Sequence, residues 1–546
     1  MRAFVLGPIV FLGGTLCAQQ PAWADPPKLV VGIVVDQMRA DFVYRYWDNF
    51  GEGGFKRLVN EGTFCRNAHF PYVPTDTGPG HASLYTGTTP SRHGIVANDF
   101  FVRSLGRTVY CAEDTAVRIV GVDSGGTGRS PVQLLATTLA DELERATQGR
   151  SRTIGISLKD RGAILPIGRT GDAAYWFQTG ADGRFVSSTW YMNELPSWVK
   201  AFNARHPVKD LLAEAWELLL PAERYHSPLP DDNPYEYPLP GATTATLPAD
   251  LPGLFAATGN TELLWNSPAG NTLLTDLALA ALEAEDLGAD AVTDLLAISY
   301  SSTDKLGHRM GPMALELEDM YLRLDRDLAR LLEALDQRVG RDGYVLFLTA
   351  DHGAPDVPAQ AKELGASAGY LDLNALRAAV EEHLQQAFGA GPWVRYLDDD
   401  RLYLDHTTVK ARNADLHRVQ RAAAEAARTV DGLYEAYTAK DLERGGSGLM
   451  ELAGRGHHPL RGGDLHLVTL PGWLPAHLST GRGTDHGSGW NPDTHVPLFF
   501  LGSGIVPGEV LERVQVTGIV PTLSLLLGQA FPDAADGPVV DGVLVR

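Results

Sequence analysis

Thr77 stands in the run Pro74-Thr75-Asp76-Thr77-Gly78-Pro79-Gly80-His81, directly before a Gly-Pro-Gly turn. Gly78 and Gly80 permit a sharp backbone turn and close approach of a ligand. Pro79 suits the first turn of a helix, where a missing N–H does no harm. Ala82 to Tyr85 continues that helix. Thr77 is therefore expected at or beside the N-cap, where free N–H groups and the helix dipole favour an anion. A hydroxyl is a weak nucleophile at neutral pH and needs a base or a metal beside it. Taken alone, the octapeptide reads as a capping Thr after a turn. What raises Thr77 to a nucleophile lies elsewhere in the chain. Thr75 is a rival hydroxyl, but it lacks the Gly-Pro turn directly after it.

Metal-type side chains recur at the ends of apolar runs. Leu29 to Val35 is a β-branched run that reads as a buried parallel strand, and it ends at Asp36. Asp294 to Tyr300 is a second strand, followed by Asp304 and His308. Their i, i+4 spacing puts both on one face of a helical turn. Tyr344 to Leu348 is a third, and it runs into Asp351 and His352; His486 precedes a fourth, Val496 to Leu501. In open α/β sheets, ligands gather at the carboxyl ends of strands. Three Asp and three His suit zinc. Six ligands are too many for one tetrahedral ion and fit two, each with open positions. Two ions about 4 Å apart make a clamp for in-line displacement at phosphorus. One would bind Thr77 and lower the pKa of its hydroxyl; the other would hold the leaving oxygen and then activate water. The bland alternative is a set of structural ion pairs and unrelated helix caps. Another strand, Arg152 to Leu158, leads into Lys159-Asp160-Arg161. On a strand those two cations point the same way.

The elements that position these residues belong to a chain of 546 residues, 44% hydrophobic and 21% charged. That is ordinary globular composition. A net charge of −21 argues against nucleic acid as a partner. It also means that attraction of an anionic substrate must be local. Arg2, the apolar stretch Phe4 to Leu16 and Ala22-Trp23-Ala24 read as a secretory signal over 1–24, cleaved after Ala24. Cys17 raises a lipoprotein alternative, which the bulky Leu16 disfavours. No later stretch reaches about 18 uninterrupted apolar residues, so no further membrane span is expected. Cys65 and Cys111 then remain, and in an oxidising compartment they are expected to form a disulfide, worth about 4 kcal/mol. Two buried thiols are the alternative.

Residues from about 165 to 268 are rich in Trp, Tyr, Pro and Gly, and read as an inserted cap with aromatics facing a substrate cleft. A second insertion is expected from about 359 to 462, with helices around the short strand Arg401 to Leu404. Asp464 to Leu470 is expected to resume the main sheet, and Val514 to Leu527 to form a closing helix. The whole reads as one α/β domain over 25–546.

Together these motifs resemble the alkaline phosphatase superfamily. More closely, they resemble its monomeric, periplasmic, phosphate-irrepressible branch with a Thr nucleophile. The resemblance runs from Val30 to about Leu527. It implies an α/β/α sandwich with a mostly parallel sheet and two inserted subdomains. It implies two zinc ions, one held by Asp36, Thr77, Asp351 and His352, the other by Asp304, His308 and His486. Asn98, Lys159 and Arg161 match that branch's contacts to the phosphoryl oxygens. Two cations there suit a monoester dianion, and Arg can chelate two oxygens. The implied activity is hydrolysis of small phosphate monoesters in the periplasm or outside the cell, by a monomer, through a phospho-threonine. The alternatives are a phosphodiesterase or nucleotide pyrophosphatase of the same superfamily, and a metal-stabilised binding protein without turnover. A sulfatase is disfavoured, because no Cys-x-Pro-x-Arg is present.

Overall fold

The computed structural model describes residues 26–545, apart from 124–125, 181 and 477–478. The leader expected over 1–24 and its cleavage site lie outside the described residues. Leu29–Val35 is buried at every position and lies inside an 11-stranded sheet. Tyr344–Thr349 and Asp294–Tyr300 pair with it in parallel on its two sides. Thr153–Ser157 and then Ala173–Gln178 extend the parallel set. Beyond Tyr344–Thr349, His495–Gly502 runs antiparallel, and Thr63–His69 pairs antiparallel to it, which restores the direction of the central strands. The central strands are continuous apolar runs because a parallel strand covered on both faces has no wet side. The long helix Leu315–Arg338 buries Met320, Leu324, Leu328, Leu331 and Leu335 on one stripe. Each is worth roughly 1.5–3 kcal/mol relative to exposure.

Register does the positioning. Val34 pairs with Thr349, and Val35 with Tyr300. Continuing that register sets Asp36 beside Asp351, with the chain that leads to Asp304 on its other side.

Three expectations are corrected. Leu465–Thr469 does not resume the main sheet. It pairs with Arg401–Leu404 and Leu433–Thr438 in a separate four-stranded sheet. An apolar run signals a strand but not its partner. The cap expected from about 165 does not begin there: Ala173–Gln178 and its antiparallel neighbour Arg184–Ser188 still belong to the main sheet. Cys65 and Cys111 are both free and buried. Cys65 packs in the main core, whereas Cys111 belongs to a small cluster with Ile95, Phe100 and Val109. Burial pushes the Cys65 thiol up to about 12 and raises Cys111 too, so both stay protonated and unreactive.

Candidate active site

Thr77 is the first residue of the helix Thr77–Thr86, and Asp76 occupies the N-cap. Every residue of that helix is buried. Gly80 lets it press on the end of the strand Tyr344–Thr349: a Cβ there would lie 2.4 Å from the Asp351 carbonyl oxygen. Thr77 Oγ1 lies 3.3 Å from both Lys159 Nζ and Arg161 Nη2. These two cations are not on a strand. Lys159 is the N-cap of the helix Asp160–Ile167, and Arg161 is in its first turn. They converge because the chain turns into a helix between them. Arg161 Nη1 also donates to Tyr110 Oη at 3.2 Å, and Tyr110 donates in turn to Asp160. Asn98 accepts the Gly78 N–H at 2.8 Å through Oδ1, which leaves its NH2 as the free donor.

The six expected ligands gather beside Thr77. Ligand atoms of Asp304, His308 and His486 lie within 4.8 Å of one another, and so do those of Asp36, Asp304 and His352. Asp304 therefore serves both groups, which its sequence position did not indicate. Asp351 stands at the margin of the second group, with Oδ1 3.8 Å from His352 Nε2. The three imidazoles share one arrangement. Nδ1 of His308 is 2.9 Å from Thr484 O, that of His352 3.0 Å from Gly353 O, and that of His486 2.8 Å from Thr75 O. Donation of Nδ1–H to a carbonyl fixes the tautomer and presents a bare Nε2 to the site. His308 Nε2 lies 3.0 Å and His486 Nε2 3.7 Å from Asp304 Oδ1. His352 Nε2 lies 3.5 Å from Asp36 Oδ1, and neither atom has a hydrogen-bond partner among the described residues.

Electrostatics agree with a cation site. Asp36, Asp304 and Asp351 are at most 1% exposed. Burial, with the Asp304 and Asp351 charges, pushes Asp36 well above the ordinary carboxylate range. Lys159 partly offsets this, with Nζ 2.7 Å from Asp36 Oδ2 and 2.5 Å from Asp304 Oδ2. Without metal, burial works against a charged His308, but Asp304 outweighs it and lifts the imidazole to about 9, so a metal would have to displace the proton on Nε2. Burial and the neighbouring His352 and His308 hold His486 well below its usual value. Three buried carboxylates, one ammonium and bare Nε2 atoms form a donor set that fits divalent metal.

A cleft of about 310 Å³ opens onto Asn98, Arg161, Asp304, His308 and His486. Part of its wall comes from the second insertion, through Asp398, Asp399 and Asp400, and part from Trp473, which follows that insertion. None of its lining residues falls in 165–268. That segment is tied to the chain beside His308 and His486: Tyr237 N–H donates to Arg309 O at 2.9 Å, and Gly483 N–H to Tyr235 O at 2.8 Å. A larger cavity of about 840 Å³, lined by Arg118, Lys200 and Phe255 among others, contains none of the site residues.

Sequence reasoning missed several supports. His81 Nδ1 lies 2.9 Å from Thr77 O and 3.3 Å from Asp351 Oδ2. Its i, i+4 spacing from Thr77 was the available signal. Arg401 Nη1 donates to Val96 O at 3.2 Å and Arg461 Nη1 to Gly94 O at 2.6 Å. Both hold the segment that carries Asn98, and nothing local to either Arg marks it.

Residues 30–490 match the family described as type I phosphodiesterase/nucleotide pyrophosphatase. Over 527 residues, 95% of each chain, the sequence is 41% identical to a Myroides odoratus protein named calcium-transporting ATPase. Over 534 residues it is 39% identical to alkaline phosphatase PhoV of Synechococcus elongatus, covering 96% of this chain and 94% of that one. The fold superposes on the crystal structure of wild-type alkaline phosphatase PafA with a TM-score of 0.91 at 37% identity, covering 96% of this chain and all of that one. No helix among the described residues is long and apolar enough to cross a membrane.

Proposed function

Because the chain belongs to the type I phosphodiesterase/nucleotide pyrophosphatase family, within the alkaline phosphatase superfamily, we propose that it is a zinc-dependent phosphate monoesterase working through phospho-Thr77. The observation that carries this reading is the approach of Lys159 Nζ and Arg161 Nη2 to Thr77 Oγ1, each at 3.3 Å. A bound monoester dianion puts charged non-bridging oxygens at that place. A diester puts a second organic group there. Paired cations match the first and leave the second poorly accommodated.

Asp36, Thr77, Asp351 and His352 would hold one zinc; Asp304, His308 and His486 would hold the other. When bound, zinc supplies Lewis-acid charge at the attacking and leaving oxygens. Thr77 Oγ1 releases its proton to solvent and attacks phosphorus, as the bond to the leaving alcohol oxygen breaks and the alcohol takes a proton from solvent. Water then attacks the phosphorus of phospho-Thr77. The Thr77 Oγ1–phosphorus bond breaks, and inorganic phosphate and the free hydroxyl return. Two in-line steps give overall retention at phosphorus. Throughout, Asn98, Lys159 and Arg161 bear the non-bridging oxygens, with Arg161 held by Tyr110. The terminal phosphoryl group of ATP carries the same charge, so the ATPase name of one relative is compatible with this chemistry. Export through the leader expected at 1–24, and action as a monomer on small phosphate esters, belong to the same proposal.

Arg161→Ala tests the reading. kcat/KM for an aryl phosphate should fall by about 10²-fold or more, the loss of a charge-assisted contact worth roughly 3 kcal/mol. The matching methyl diester should lose far less, since it lacks the charged oxygen that Arg161 serves. Equal losses on both substrates would remove that role and favour the diesterase alternative.

A further inference from the structure

Gln37 directly follows Asp36 and is only 5% exposed. Its φ of +65° lies in the left-handed region, which is costly for a residue with a Cβ. The turn that this φ produces has a specific result. Gln37 N–H donates to Asp351 Oδ1 at 3.2 Å, and Gln37 Nε2 donates to Asp304 Oδ1 at 3.0 Å. One residue thus grips a carboxylate from each half of the site. The grip on Asp304 is on the informative oxygen, since Oδ1 is the atom that faces His308 Nε2 and His486 Nε2. Lys159 holds the other oxygen of the same carboxylate.

Gly307 makes room for this contact. A Cβ on Gly307 would lie 1.9 Å from Gln37 Oε1, so any side chain there evicts the amide. The chemistry of the amide also matters. It donates a hydrogen bond without bringing charge. A Lys in its place would compete electrostatically with a metal, and a Glu would add a fourth buried carboxylate.

From these contacts we propose that Gln37 is a positioning residue that aims Asp304 Oδ1 into the metal site formed with His308 and His486, and ties that site to Asp351. This inference rests on the zinc reading above. Gln37 touches no reacting atom; it acts through the two carboxylates. Partners of metal ligands typically govern about 10–100-fold in metal affinity.

The positive φ supplies a clean variant. In Gln37→Gly the backbone keeps its conformation without strain, and the N–H to Asp351 is retained while the amide is lost. Gly307→Ala removes the same contact from the opposite side, with a substitution that suits a helix. Zinc binding to the full chain would be followed by competition with a chromophoric chelator, alongside the melting temperature of the metal-free protein. Both variants should bind one of two zinc equivalents about 10–100-fold more weakly, keep the other at wild-type affinity and melt as wild type does without metal. If Gln37→Gly fails to fold, Gly307→Ala decides alone. Wild-type affinity for both equivalents in the folded variants overturns the inference while leaving the zinc reading intact. Loss of both equivalents together with a lower melting temperature assigns Gln37 to folding and also overturns it. A wild-type protein that binds no zinc overturns the zinc reading and this inference with it.

Discussion

Thr77→Ala is expected to abolish phosphate release, lowering kcat by roughly 10⁴–10⁶-fold, as loss of a catalytic nucleophile does elsewhere. The size of the effect follows from its position. Among the described residues, Thr77 Oγ1 is the one hydroxyl that both Lys159 and Arg161 approach at 3.3 Å, at the buried start of a helix. Thr75 cannot stand in for it, since its hydroxyl is spent on Ser488 O at 3.0 Å and its carbonyl on His486. The fold should survive, because alanine is the best helix former and no cap hydrogen bond comes from Thr77. Thr77→Ser keeps the oxygen and should retain most of the rate. Acid quench of the wild type during turnover should leave phosphate on the peptide holding Thr77. Near-wild-type turnover by Thr77→Ala would refute the covalent route.

Asp304→Asn should have the second largest effect, larger than loss of any single imidazole. Asp304 is the one residue common to both ligand groups, and it also anchors Lys159. Neutralising it removes a charge from both metal positions while nearly preserving volume. Elemental analysis should find fewer than two zinc per chain, and kcat/KM should fall by roughly 10³-fold or more, given that metal charge contributes several kcal/mol to such transition states. His308, whose raised pKa of about 9 depends mainly on Asp304 against the pull of burial, should titrate lower in the metal-free variant. Retention of two zinc ions at full affinity would contradict the shared-ligand geometry.

Most of the architecture was legible, for a physical reason. Strands buried on both faces must be apolar throughout, so Leu29 to Val35 announced itself, and so did the polar residue that ended it. Asp36, Asp351 and His352 could be picked out because a carboxylate directly after such a strand lies at the sheet edge where ligands bind. The i, i+4 spacing of Asp304 and His308 placed both on one turn of the helix Ser302–Met310. What stayed hidden depends on contacts between segments distant in sequence. Leu465–Thr469 looks like any strand, and its sheet is decided by which partner it meets. Two cysteines in a chain expected to carry a leader suggest a bridge, but both are free and buried, in different clusters. Gln37 is an ordinary residue after a strand until its backbone turns left-handed. Part of the cleft wall came from the second insertion and none from the aromatic first one, because aromatic composition signals burial without saying against what.

The most direct test of the account is kcat/KM for an aryl phosphate monoester and its methyl diester, measured side by side on zinc-loaded enzyme and again after chelation. The site geometry predicts a large monoester preference that disappears with the metal. A preference for the diester, or a monoester rate indifferent to chelation, would contradict it.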